Sequence, residues 1–231
     1  MIPVLVLAGG LGTRLQNEVK DVPKPMAPIQ GIPFLHYVIK HIETHYSSKI
    51  YFSLGYKGEL IKQYFTRLNC KNYTFYNEPE ALGTGGAIKF CWQNIPEEQL
   101  LVLNGDTFAP FDAELFIQHC KTHNLTSALL LRHVENCSRY GSVAFNAQFK
   151  ITRFIEKHND IQAGWINAGV YLLNKTDFFK RCAALHTFSI ERQYLADHPQ
   201  LGAYPSMGYF IDIGIPEDFK KAQHELSKYK P

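Results

Sequence analysis

Apolar and polar residues alternate in blocks along the first hundred positions. Residues 2–8, IPVLVLA, are a continuous, β-branched apolar run, which predicts a strand covered on both faces. After Gly31 and Pro33, the residues Phe34, Leu35, Val38, Ile39 and Ile42 recur at helical spacing, and Pro33 suits a first turn. KIYFSL (49–54) predicts a second strand, and Leu60, Ile61, Tyr64, Phe65 and Leu68 a second helical stripe. YTFY (73–76) reads as a strand, 86–94 as a helix and LLVL (100–103) as a strand. Strands and helices that alternate in this way imply βαβ units, hence an α/β chain with a mostly parallel sheet and helices on both faces.

The second half has a different texture. TSALLLRHV (126–134), SVAFN (142–146), ITRFIE (151–156) and NAGVYLL (167–173) predict strands with less helix between them. This predicts an antiparallel or mixed section added to the sheet. Residues 216–228 predict a closing helix with Pro216 at its start. There is no internal repeat, low-complexity tract or linker, so residues 1–231 are expected to form a single domain.

Composition narrows the class. Hydrophobic residues make up 45% and charged residues 19%, a globular balance that excludes disorder. A net charge of +3 is too small to imply a nucleic-acid partner, and no apolar run reaches the length that crosses a membrane. The first ten residues lack a basic n-region. Cys70, Cys91, Cys120, Cys137 and Cys182 are odd in number and scattered, with no CxxC pair. That pattern fits reduced thiols in a cytoplasmic protein.

Ligands of a parallel α/β sheet bind beyond the carboxyl ends of its strands, and three loops there carry unusual residues. Gly9, Gly10, Gly12, Thr13 and Arg14 follow the first strand, Asn104, Gly105 and Asp106 follow LLVL, and Asp212 and Gly214 follow GYFI. Glycines of this kind let backbone N–H groups approach an anion, so GGLGTR can cradle phosphates. The third glycine of the dinucleotide fingerprint is replaced by Leu15, and no GxxxxGK[ST] occurs. A tight turn alone would explain the glycines, but Arg14 adds a cationic fork, and Lys24 adds a second cation in an extended PKP frame. Asp106 and Asp212 would repel phosphates unless a divalent cation lay between, and Mg²⁺ takes carboxylate and phosphate oxygens together. Read singly, each is a turn aspartate; read with the basic loop, they form a metal pair.

The motifs LAGGLGTRL, PKPM, EALGTGGA, NGDT, EK and FIDIGIPEDF, in this order, resemble those of the sugar-1-phosphate nucleotidyltransferases, which make NDP-sugars and pyrophosphate from an NTP and a sugar 1-phosphate. The resemblance runs over nearly the whole chain. It implies a Rossmann-like three-layer α/β/α sandwich with a mostly parallel mixed sheet. Within the family, the compact length, KDVPKPMAPI, LGTGGAI and IDIGIPEDF are most similar to the short bacterial enzymes that guanylylate heptose 1-phosphate.

Carried over residue by residue, the resemblance implies that Leu7, Ala8, Gly9, Gly10, Gly12 and Thr13 hold the nucleotide, with Glu80, Gly83 and Thr84 along its base. It implies that Arg14 binds the leaving phosphates, that Lys24 bridges toward the α-phosphate, and that Asp106 and Asp212 hold Mg²⁺; Arg14, Lys24 and Asp106 are the catalytic set. Asn104, Gly141, Glu156, Lys157 and Asn167 would form the sugar-phosphate side. An additional acidic residue, Glu78, adjoins the base loop. The expected substrates are GTP, or another NTP, and heptose 1-phosphate or another sugar 1-phosphate; the oligomer is left open between monomer and homodimer.

The sugar phosphate is already an anion, so alignment and charge neutralisation suffice without a general base, and no nucleophilic triad is needed. The pairs His41/His45 and His119/His123 are four apart but lack an HExxH, and are expected on solvated helix faces. Two rivals remain. A non-catalytic nucleotide-sugar-binding subunit would be free to lose Arg14, Lys24, Asp106 and Asp212, and an oxidoreductase would want the missing glycine.

Overall fold

In a computed structural model, residues 1–10, 12, 15, 19–68, 72–140, 142–155 and 162–231 are described. The first half runs β1 (Val4–Leu7), β2 (Pro28–Ile29), β3 (Ile32–Pro33), α1 (Phe34–His45), β4 (Ile50–Leu54), α2 (Gly58–Arg67), β5 (Tyr73–Asn77), α3 (Gly83–Trp92), β6 (Gln99–Asn104), β7 (Thr107–Phe108) and α4 (Ala113–Thr122). The second half runs β8 (Ala128–Val134), β9 (Ser142–Phe145), β10 (Ile151–Ile155), β11 (Gly164–Asn174), α5 (Lys175–Arg181), a π-helical turn Glu191–Leu195, β12 (Gly202–Ser206), β13 (Ile211–Asp212), α6 (Pro216–Glu225) and a 3₁₀ turn Leu226–Tyr229.

Seven strands form the central sheet in the order β12-β8-β11-β6-β1-β4-β5. β1 pairs in parallel with β4 and β6, β4 with β5, and β8 with β12, whereas β11 runs antiparallel between β6 and β8. The expected mostly parallel mixed sheet is therefore present. Alternation along β1 assigns its two faces: Val4 and Val6 join one apolar cluster and Leu5 the other. The first cluster takes Phe34 and Leu35 of α1, Ile61 and Phe65 of α2, Phe116 of α4 and Ala222 of α6. The second takes Ile88 and Trp92 of α3, Phe178 of α5, and Tyr194. Helices thus cover both faces, giving three layers.

Several sequence readings shift. The helix expected over 86–94 starts at Gly83, because the glycine-rich segment joins it. α6 ends at Glu225, and the rest of the expected closing helix tightens to 3₁₀. GYFI is no strand of the main sheet: only Ile211 and Asp212 pair, in a ribbon with Phe108 and Thr107. β12 contains Gly202 and Pro205, which mask a strand by composition; tertiary pairing with β8 makes it one. Helices α4 and α5 are fixed by side-chain caps, Asp112 accepting from the N–H of Leu115 and Asn174 from that of Asp177.

Candidate active site

The carboxyl ends of β1 and β6 lie side by side, and the Gly105 N–H donates to the carbonyl of Leu7 at 2.9 Å. Asp106 leaves β6 at that point. The short ribbon then sets Asp212 opposite Thr107, and the Ile213 N–H donates to the Asp106 carbonyl at 3.2 Å. A two-residue pairing thus joins carboxylates from distant parts of the chain.

Lys24 completes the cluster. Pro23 is extended, as the PKP frame predicts, but Lys24–Met26 then turns into a 3₁₀ segment closed by Met26 N–H to the Pro23 carbonyl at 2.7 Å. The expected extended frame holds only up to Pro23. Gly12, at φ +59°, lies against the lysine stem: a Cβ there would come 2.6 Å from Lys24 Cβ, so both the conformation and the close approach demand glycine. Lys24 Nζ donates to Asp106 Oδ2 at 2.7 Å and to Asp212 Oδ1 at 3.1 Å. Burial works against the ammonium, but the two carboxylates outweigh it and hold its pKa above the usual value. Burial, together with repulsion from Asp106, pushes the Asp212 carboxyl up despite Lys24. Two carboxylates converging on one cation present hard oxygen donors, a set that suits a divalent ion completed by phosphate and water oxygens.

In the loop expected along the base, the glycines of EALGTGGA are closely packed. Gly83 is at φ +71°, and a Cβ there would meet the Phe188 carbonyl oxygen at 2.6 Å; on Gly85 and Gly86 it would overlap the Phe188 ring and the His186 carbonyl. The Gly85 N–H donates to the Phe188 carbonyl at 2.9 Å, and the Phe188 N–H to that of Leu82 at 3.0 Å. Lys89 Nζ fastens the preceding turn, donating to the carbonyls of Cys182, Ala183 and Leu185. Glu80 is exposed beside His186, at 3.7 Å. Glu78 lies against Gly9, whose missing Cβ leaves room for its carboxylate, and accepts from Ser53 Oγ at 2.8 Å. Burial raises the Glu78 pKa, partly offset by the hydrogen bonds from Ser53 and the Leu82 backbone.

On the opposite side of Asp106, β11 bulges between Asn167 and Tyr171. Asn167 Oδ1 accepts from the Gly169 N–H at 2.9 Å, and its Nδ2 donates to Tyr171 Oη at 3.2 Å. Gly169, at φ +71°, lets β11 close onto the Asn104 side chain. Asn104 Oδ1 is buried and takes no donor from the described residues. Asn104 and Asn167, both expected on the sugar-phosphate side, are therefore brought together beside Asp106. On the other flank Leu7 ends β1, the Ala8 N–H donates to the Ser53 carbonyl at 2.9 Å, and the Gly9 carbonyl accepts from the Tyr56 N–H at 3.3 Å, with Gly10 following in the chain.

Thr13, Arg14, Gly141, Glu156 and Lys157, together with Cys70, lie outside the described residues. The other four cysteines are buried and free. The histidine pairs depart from expectation. His41 Nε2 accepts from the Phe111 N–H at 3.0 Å, and the ring of His119 packs on Phe149 and Tyr204, so each first histidine is half-buried structure rather than a solvated face. Sequence reasoning missed Ser53, Tyr171 and Glu191. None sits in a motif, and only the close packing of 186–191 on EALGTGGA reveals the last.

A family model described as nucleotidyl transferase matches residues 3–229. The chain is 38% identical to the D-glycero-alpha-D-manno-heptose 1-phosphate guanylyltransferase of Aneurinibacillus thermoaerophilus, over 97% of this chain and 98% of that protein. It is 40% identical to the enzyme of the same name from Campylobacter jejuni, over 93% and 96%. The crystal structure of HddC from Yersinia pseudotuberculosis complexed with GMP-PN superposes with a TM-score of 0.87 at 36% identity, covering 98% of this chain and all of that one. The chain belongs to the nucleotidyl transferase family and is an enzyme that joins a nucleotide to a sugar phosphate to make an NDP-sugar.

Proposed function

We propose that the chain transfers guanylyl from GTP to D-glycero-α-D-manno-heptose 1-phosphate, releasing pyrophosphate. The observation that carries this reading is the 38–40% identity, over nearly the full length of both chains, to two heptose 1-phosphate guanylyltransferases. The GMP-PN bound to a 36% identical neighbour favours guanine in the same way. In this reading residues 1–231 work as one catalytic domain. A cytoplasmic location, where NTPs are made and thiols stay reduced, goes with it.

The nucleotide lies along residues 7–13, with its base toward Glu80, Gly83 and Thr84. The sugar phosphate lies toward Asn104 and Asn167, joined in our assignment by Gly141, Glu156 and Lys157. The buried Asn104 Oδ1, which takes no donor from the described residues, is assigned here to accept from a sugar hydroxyl. A divalent cation, Mg²⁺ in our assignment, would be held by Asp106 and Asp212 and would neutralise phosphate charge. Lys24, now held by both carboxylates, exchanges part of that attachment for the α-phosphate. Arg14 receives the charge that builds on the departing pyrophosphate. The sugar-phosphate oxygen attacks the α-phosphorus in line; the new P–O bond forms as the bond to the β-phosphate oxygen breaks. No proton has to move, so the residues act by alignment and charge.

The test supplies GTP, ATP, UTP and CTP against heptose, mannose and glucose 1-phosphates with Mg²⁺, and follows pyrophosphate. Release with GTP and heptose 1-phosphate above every other pair is expected. A clear preference for UTP or CTP would refute the guanine assignment, and a preference for another sugar would refute the heptose assignment. Light scattering with and without substrates decides between monomer and homodimer.

A further inference from the structure

One carboxylate outside every motif joins the two halves of the site. Glu191 opens the π-helical turn Glu191–Leu195 and is half-buried. Its Oε2 accepts from Thr84 Oγ1 at 2.8 Å and from Ser189 Oγ at 2.6 Å. Its Oε1 accepts from Tyr171 Oη at 3.4 Å. Thr84 is fixed from the other side by the Ile190 N–H, which donates to its hydroxyl at 2.9 Å. Tyr171 is fully buried, and its hydroxyl also meets Asn167 at 3.2 Å and Asn104. Among the described residues, no lysine, arginine or histidine pairs with this carboxylate, so its charge is met by hydroxyl donors. Such a set is costly unless every donor is in place, which makes it an aligning device as well as a contact.

We infer that Glu191 is a positioning residue that couples the two substrate sides, holding Thr84 of the base loop and the Tyr171–Asn167–Asn104 group in one mutual arrangement. The inference rests on the proposed assignment of Thr84 to the nucleotide and of Asn104 and Asn167 to the sugar phosphate. The base loop cannot easily slip relative to this carboxylate, because Gly83, Gly85 and Gly86 are packed directly on residues 186–188. A nucleotide that draws Thr84 into place therefore fixes Glu191, and through Tyr171 it fixes the two asparagines. Two sites that bias one shared arrangement bind their ligands cooperatively and reciprocally.

Calorimetry with a non-hydrolysable GTP analogue, titrated with and without heptose 1-phosphate, reads this directly. In the wild-type protein, the sugar phosphate should tighten the analogue by at least about fivefold, the lower end of ordinary coupling. In Glu191→Gln the ratio should fall below about twofold, while both ligands still bind. Thr84→Val and Tyr171→Phe remove the two ends of the relay separately. Their effects on the ratio should be non-additive when Glu191 is present and additive in Glu191→Gln. A merely structural Glu191 would lower the melting temperature and weaken both ligands but leave the ratio unchanged, which overturns the inference. A wild-type protein that binds both probes with a ratio near one also overturns it and leaves the proposed function standing. A wild-type protein that binds neither probe overturns both.

Discussion

Two carboxylate clusters in this chain use similar residues to opposite ends. In the first, Asp106 and Asp212 share Lys24, with the carboxylate side chains 38% and 31% exposed. In the second, Asp177 in the first turn of α5 takes Tyr194 Oη at 2.8 Å, His198 Nε2 at 2.9 Å and Arg181 Nε at 2.8 Å, and Ser127 supports Tyr194 at 3.0 Å. Serine, histidine and aspartate lie close together there, yet Ser127 is fully buried and three side-chain donors converge on the one carboxylate of Asp177. Burial pushes the Asp177 carboxyl up, but the hydrogen bonds from Tyr194, Arg181 and His198 outweigh it and hold it below the usual range. In the first cluster one ammonium is shared between two carboxylates, with Thr107 Oγ1 3.4 Å from Asp106 Oδ1 and a backbone hydrogen bond from Gly214 to Asp212. What separates the two clusters is how charge is met: several donors on one carboxylate stabilise it, whereas two carboxylates sharing one ammonium keep negative charge that a further cation can meet.

The sharpest way to break the comparison is to neutralise a member of each cluster. Asp106→Asn and Asp212→Asn should each cost at least about a hundredfold in turnover, on the scale of losing a key electrostatic stabiliser, with little change in melting temperature. Near-normal rates of pyrophosphate release in either variant would remove the metal assignment, as would full activity in EDTA. Asp177→Ala should show the reverse. It strands three donors, so unfolding in denaturant should record a loss of about 2 kcal/mol, while turnover per folded molecule holds.

A smaller effect sharpens the first cluster. Charge moves onto pyrophosphate in the transition state, so Lys24→Ala should chiefly lower kcat, by about tenfold to a hundredfold. Lys157→Ala, in our assignment a ground-state contact to the sugar phosphate, should chiefly raise the KM for that substrate. Steady-state kinetics with each substrate varied in turn separates the two, and a nucleotide KM defect in Lys157→Ala would reverse the proposed orientation.

The smallest effect concerns acid. His198 is held below the usual imidazole pKa by burial, offset in part by Asp177. Both Asp177 and His198 therefore have folded values depressed below their unfolded ones, so the unfolded chain takes up more protons and stability falls as pH falls. The decline should begin below about pH 6.5 through His198 and steepen below about pH 4 through Asp177. Melting temperature against pH checks it, and Asp177→Asn should flatten the lower part of the decline.

Much of this was present in the residue order. Continuous apolar runs at 2–8 and 100–103 and the stripes of α1 and α2 set an alternating α/β sheet, because buried parallel strands and amphipathic helices each leave a local period. The motifs LAGGLGTRL, PKPM and NGDT pointed to the chemistry, because close backbone approach and fixed charge need particular residue types. Other features depended on contacts between distant segments. Asp212 reaches Asp106 through a two-residue ribbon, too short to leave a period of its own. Lys24 lies between both carboxylates because Gly12 leaves space for its stem. The glycines of EALGTGGA, expected along the nucleotide, also leave room for Phe188 and His186, about a hundred residues away, which only the tertiary structure reveals. Glu191 has no sequence signal at all. Its role exists only where Thr84 and Tyr171 meet it, since hydrogen bonds act over about 3 Å of space, whatever the separation along the chain.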